Sequence, residues 1–100
     1  LGQAQYSAMC QPDGGIVDDL IVYRRGSDRY FVVVNASNTD KDFAWMQKVH
    51  RDGNFSCRLE NESAKWSQIA IQGPRAAEIL QTLTDTPLAD IKTYRFDEGK

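Results

Sequence analysis

Long apolar runs are missing from this chain. Stretches such as Leu20–Tyr23 and Tyr30–Val34 stay short, far below the roughly 20 residues a membrane-spanning helix needs. An excess of basic charge is missing too. Twelve Lys and Arg stand against 14 Asp and Glu, for a net charge of −2, which provides no electrostatic footprint for nucleic acid. Cysteine is scarce. Cys10 and Cys57 are too few for a disulfide scaffold and read as reduced, partly buried thiols. His50 is the single histidine, and with two distant cysteines it furnishes no closed metal site. It also has no motif around it that would make a nucleophilic triad. No dinucleotide-binding or Walker glycine loop occurs. Gly14-Gly15 is followed by a strand-like segment, whereas phosphate cradles lead into a helix.

What is present is ordinary for a small folded domain. Hydrophobic residues make up 41% of 100 residues and charged residues 26%, enough apolar material for a core and too much for a disordered chain. The opening Leu1-Gly2-Gln3 lacks Met, and the close at Asp97–Lys100 follows a strand-like stretch. Both ends are expected of a piece cut from something longer.

Polar–apolar alternation over residues 3–11 predicts a strand. Pro12-Asp13-Gly14-Gly15 is turn chemistry, because glycine admits positive φ. Residues 16–24 form the second arm of the hairpin, and 29–36, rich in β-branched and aromatic side chains, a third strand. Asn38 or Thr39 is placed to cap a helix with Asp40 and Asp42 in its first turn. Phe43, Met46, Val49 and His50 give that helix an apolar face, and Asp52-Gly53-Asn54 stops it. Segments 55–60 and 66–72 read as two more strands. Gly73-Pro74 reads as a helix start, with Ala76, Leu80 and Leu83 on its inner face. Tyr94-Arg95-Phe96 reads as the beginning of a further strand. The order β-β-β-α-β-β-α is an α+β pattern, a mostly antiparallel sheet with two packed helices.

The most unusual feature is Asp18-Asp19 inside Ile16-Val17-Asp-Asp-Leu20-Ile21-Val22-Tyr23. Alternation puts Asp19 on a face with Val17, Ile21 and Tyr23, and Asp18 on a face with Ile16, Leu20 and Val22. Strands disfavour Asp, and an unpaired buried charge is costly. Such a break in local rules is expected at a functional site, where desolvation would raise a carboxyl pKa. The alternative is that one Asp caps the adjacent turn or pairs with Arg24 or Arg25. Asn35, closing the run Phe31–Val34, is either a ligand contact or a turn residue. Trp45 and Trp66 read as packing residues or surface anchors.

These residues carry a resemblance. Gly2-Gln3-Ala4-Gln5-Tyr6-Ser7, Met9-Cys10, Gly14-Gly15-Ile16-Val17-Asp18-Asp19-Leu20-Ile21-Val22-Tyr23, Val33-Val34-Asn35-Ala36-Ser37-Asn38, Lys41-Asp42-Phe43-x-Trp45 and Ile69-Ala70-Ile71-Gln72-Gly73-Pro74 occur in order. Together they resemble the glycine cleavage system T-protein family of tetrahydrofolate-dependent aminomethyltransferases, over nearly the whole chain. The resemblance implies that residues 1–100 are one internal fragment of the folate-binding domain. It implies tetrahydrofolate as co-substrate without a metal, and the lipoylated H protein as partner. The family transfers a one-carbon unit from the aminomethyl-lipoyl arm to tetrahydrofolate and releases ammonia. It implies Asp19 as the catalytic carboxylate, and Tyr6, Ile21, Tyr23 and Asn35 as folate contacts beside it. Related folate modules of sarcosine and dimethylglycine oxidases or dehydrogenases share this Asp. A relative acting in iron–sulfur cluster maintenance usually lacks the Asp pair. The isolated fragment is expected to be inactive and to self-associate through uncovered apolar surface. The expected compartment is the bacterial cytoplasm, or second the mitochondrial matrix.

Overall fold

The computed structural model describes all residues, Leu1–Lys100. Strands β1 (Ala4–Cys10), β2 (Ile16–Arg24) and β3 (Tyr30–Val34) lead into helix α1 (Thr39–Asp52), followed by a short helix α2 (Ala76–Gln81). Single 3-10 turns lie at Ala36–Asn38, Ser63–Lys65 and Leu88–Asp90. The strands form one open antiparallel sheet in the order β1-β2-β3. This is the α+β class expected from the sequence.

Turn chemistry sets the register. At the first turn the Gln11 N–H donates to the Gly15 carbonyl at 2.6 Å and the Gly14 N–H to the Gln11 carbonyl at 2.9 Å. Gly14 has φ +90, a conformation a side chain would oppose. Asp13 accepts the Gly15 N–H at 2.9 Å, as an Asp in a turn is suited to do. The second turn closes when the Arg25 and Gly26 N–H groups both donate to the Arg29 carbonyl, at 2.9 and 3.0 Å.

The chain divides into two compact units. One comprises Leu1–Gln5, Val22–Val32 and Gln68–Lys100. Here the two ends of the chain are stitched together. Ala4 donates to the Tyr94 carbonyl at 2.8 Å, Phe96 donates to the Gly2 carbonyl at 3.0 Å, and Gln3 bridges Arg95 in antiparallel sense. The strand expected from Tyr94 is thus a single bridge. The Tyr23 ring meets Phe31 and Phe96 edge-on, at centroid distances of 6.4 and 5.2 Å. Arg25 forks onto Glu98 with bonds of 2.5 and 2.8 Å.

The other unit comprises Tyr6–Ile21 and Val33–Ser67. It contains Leu20, the one buried apolar side chain, and α1. Gly53 donates to the Val49 carbonyl at 2.9 Å, and Asn54 follows with φ +50, so the helix stops where its sequence says. His50 Nε2 lies 2.6 Å from the Cys57 carbonyl, tying the outgoing chain back to the last helical turn. Because a carbonyl only accepts, that nitrogen carries the hydrogen. Met9, Trp45, Met46, Phe55 and Leu59 line one shallow apolar groove.

Four expectations are corrected. Segments 55–60 and 66–72 are not strands. Phe55 in the first and Trp66, Ile69 and Ile71 in the second suit a sheet, but neither segment is hydrogen-bonded to a strand edge, and propensity without a partner makes no ladder. Helix α2 starts at Ala76 and not at Pro74, and it ends at Gln81. Leu83 therefore lies beyond the helix and is 73% exposed. Cys10 and Cys57 are free and exposed. No helix is long and apolar enough to cross a membrane.

Leu20 is expected to dominate apolar stability in its unit. In the full-length protein Leu20→Ala should cost about 2–3 kcal/mol in urea unfolding. Ile16→Ala, on a residue 68% exposed, should cost under about 0.5 kcal/mol. Equal losses for the two would show that Leu20 is not central.

Candidate functional site

The candidate site lies within the second unit, where β2 faces the chain entering α1. β2 supplies two consecutive carboxylates, Asp18 and Asp19, both half-buried. β3 ends at Val34, and Asn35 follows in extended backbone with φ −66 and ψ 132. The 3-10 turn then brings Asn38 round to the N-terminal end of α1. Two amides three residues apart thus reach the Asp pair.

Asp18 is saturated with donors. Its Oδ1 accepts from Asn35 Nδ2 at 3.0 Å and from the Asp19 backbone N–H at 2.9 Å. Its Oδ2 accepts from Asn38 Nδ2 at 2.9 Å. Asp19 is held at both oxygens. Oδ1 accepts from Asn35 Nδ2 at 2.7 Å, and Oδ2 accepts from the Tyr6 hydroxyl. A single amide nitrogen therefore bridges both carboxylates. Lys41 reaches over to donate to the Val17 carbonyl at 2.9 Å.

Of the residues expected at the site, Tyr6, Asp19 and Asn35 are brought into one hydrogen-bonded constellation. Ile21 is half-buried two residues along β2 from Asp19. Tyr23 belongs to the first unit, where its ring packs on Phe31 and Phe96. The turn role for Asn35 is present alongside its bonds to the Asp pair. Both carboxylates draw their donors from amides and a phenol, while Arg25 is engaged with Glu98. Asn35 contributes its carbonyl to the turn, accepting the Asn38 N–H at 2.9 Å, and its side chain to the carboxylates. Asn38 occupies the cap position expected of it, yet makes no side-chain cap bond; its amide is diverted to Asp18.

The electrostatics reverse one expectation. Desolvation does not raise Asp18 or Asp19, because hydrogen bonds to the charged form outweigh it. Asp18 is lowered to about 2, by the contact with Asp42 first and Asn38 second. Asp19 is lowered by the Tyr6 hydroxyl first and Asn35 second. Tyr6 is raised above 10.0 mainly by the same bond.

The raised carboxyl is Asp42, which the sequence reading treated only as a helix-dipole residue. It is 0% exposed, and neither of its oxygens finds a donor. Burial first, and the neighbouring Asp18 second, push it up to about 6. Asp42 faces an acceptor, so their contact is a hydrogen bond only when a proton sits between them. A sequence signal existed: Asp42, Trp45, Met46 and Val49 share the spacing of one helix face.

With this geometry established, comparison with known proteins identifies the family. The whole chain, residues 1–100, matches the GCVT N-terminal domain. The chain belongs to that family. The aminomethyltransferase of Halalkalibacterium halodurans is 55% identical over 98 residues, covering 98% of this chain and 26% of the relative. That of Moorella thermoacetica is 54% identical over 95 residues, covering 95% and 25%. That of Bacillus subtilis is 50% identical over 95 residues, again covering 95% and 25%. The chain thus spans about a quarter of the length of the curated relatives it matches.

Removing the Tyr6 hydroxyl tests the electrostatics. Asp19 has a folded pKa below the usual 3.8. Its stabilising contribution is complete above that value and is lost as the pH falls through the folded pKa. Tyr6→Phe should raise the Asp19 pKa toward the ordinary range in a carbon-13 carboxyl titration of the full-length protein. It should also move the acid-unfolding limb upward in pH. An unchanged Asp19 titration would remove Tyr6 as its main partner.

Proposed function

We propose that this chain is the part of a tetrahydrofolate-dependent aminomethyltransferase of the glycine cleavage system that holds the folate-side carboxylate. The observation carrying this reading is the two-sided alignment of Asp19 by Tyr6 and Asn35. A carboxylate fixed at both oxygens and kept ionised is suited to orient a pterin. It is equally suited to stabilise positive charge developing on a reacting folate nitrogen. In this reading Tyr6, Ile21 and Asn35 surround the folate with Asp19. Tyr23 joins them on the strength of the resemblance.

The reaction proposed for the whole protein starts from an aminomethyl group on the lipoyl arm of H protein. The carbon–sulfur and carbon–nitrogen bonds break, the methylene unit forms bonds to two nitrogens of tetrahydrofolate, ammonia leaves and the arm regains its thiol. No redox change occurs, and no metal is required. Relatives bearing the aminomethyltransferase name favour this reading over a folate module of a flavin-linked oxidase or an iron–sulfur maintenance protein. We place the protein in the bacterial cytoplasm, with the mitochondrial matrix as the second location. Chain 1–100 alone is expected to be inactive. With Ile69 83% exposed and Leu83 73% exposed, it is also expected to self-associate.

Asp19→Asn in the full-length protein is the direct test. The substitution keeps shape and removes charge, so transfer of the one-carbon unit should fall by about a hundredfold or more. Thermal stability should change little by comparison. Wild-type turnover in that variant would end the catalytic assignment.

A further inference from the structure

Asp42 is the most deeply buried residue of the chain, and no step proposed above uses it. Its carboxyl lies against Asp18 inside the unit that holds the candidate site, and its two oxygens lack donors. Two ionised carboxylates in such contact repel, whereas one shared proton turns the contact into a strong hydrogen bond. Asp18 has three further donors: Asn35, Asn38 and the Asp19 N–H. Asn35 gives the same nitrogen to Asp19 at 2.7 Å. The path from Asp42 to Asp19 is therefore an unbroken series of side-chain contacts.

We infer that Asp42 is a positioning residue: its acid form donates to Asp18, and Asp18 so held keeps the Asn35 amide in place for Asp19. Asp19's function in catalysis rests on the reading given above; the coupling between the three carboxyl groups does not. The groups facing Asp42 are Asp18 and Asp19 from β2 and Lys41 from its own helix. Tyr6 of β1 acts one contact further away, on Asp19. Lys41 alone favours ionisation, and its ammonium is bound to the Val17 carbonyl. The two aspartates oppose ionisation.

The sign of the pH effect follows. The folded value near 6 lies above the ordinary 3.8. The stabilising contribution of the proton is thus complete below the ordinary value and is lost as the pH rises through about 6. Above that, charge at Asp42 pushes on Asp18, and the Asn35 alignment loosens. Asp42→Asn supplies a permanent donor of the same shape and should hold the arrangement at every pH. Asp42→Ala supplies none.

The test uses the full-length protein without folate. The Asn35 side-chain amide is followed by nitrogen-15 NMR from pH 5 to 8, a range clear of the Asp18 and Asp19 titrations. We expect its resonances to move with a midpoint near 6 in the wild type and to stay still in Asp42→Asn. In parallel, tetrahydrofolate affinity is measured at both ends of the range. The ratio of wild-type to Asp42→Asn affinity should fall as the pH rises, and that ratio cancels any titration of the ligand. An Asn35 amide that is flat in the wild type, or titrates identically in Asp42→Asn, overturns the inference even where folate binds. An intact Asn35 titration in a protein that binds no folate would instead support the inference and overturn the proposed function. Should Asp42→Ala fail to fold, the Asp42→Asn comparison still decides.

Discussion

The second unit depends on one arrangement: a strand carboxylate, Asp18, surrounded by donors that come from three places in the chain. Asn35 arrives from the end of β3, Asn38 from the start of α1, and an N–H from the neighbouring residue of β2 itself. Ordinarily a carboxylate in a sheet is a liability. Here it fixes how the helix enters, because the cap residue of α1 is bonded to Asp18 and not to its own helix. Packing contributes less than usual, since Leu20 is the one buried apolar side chain. Polar geometry therefore carries much of the local specificity: Asp18 and Asp19 have donors at both oxygens, while the buried Asp42 has none.

Asp18 and Asp19 divide two tasks. Asp18 looks inward, toward Asn38 and Asp42, and organises the backbone. Asp19 is gripped by Tyr6, which is 63% exposed, on the side open to solvent. Adjacent residues on a strand point to opposite faces, so a consecutive pair is the simplest way to turn one charge toward the helix entry and the next toward Tyr6. Asn35 spans both because it lies just past the strand end, where the pleat no longer dictates direction.

Much of this was legible in the sequence, for identifiable reasons. Turn residues act locally, so Pro12–Gly15 and Asp52–Asn54 declared the first hairpin turn and the end of α1. The Asp pair stood out because it violates strand propensity. Segments 55–60 and 66–72 read as strands yet are not, because strand formation is a property of two partners, and composition reports only one. Asp42 was missed for a related reason. In the first turn of a helix an Asp has an ordinary explanation, and nothing in its own neighbourhood reveals the carboxylate on β2. Flanking apolar residues point to a raised pKa at Asp18 and Asp19, whereas their donors are distant in sequence and lower it.

The stitching of the chain ends has a consequence for the order of events during synthesis. The Ala4 N–H is bonded to Tyr94 and the Gly2 carbonyl to Phe96, so these contacts join segments that leave the ribosome at opposite times. Closing so long a loop carries an entropic cost before any contact rewards it. The segments carrying Tyr6, Asp18, Asp19, Asn35 and Asp42 all lie between Tyr6 and Ser67. The aspartate network thus has its full complement of residues while Tyr94 and Phe96, two of the partners of the N-terminal strand end, are still untranslated. The Gly2 N–H and the Gln3 carbonyl find Arg24 early. The Ala4 N–H and the Gly2 carbonyl must wait unpaired for nearly the whole of this chain, an interval in which a nascent-chain chaperone would find these waiting groups available.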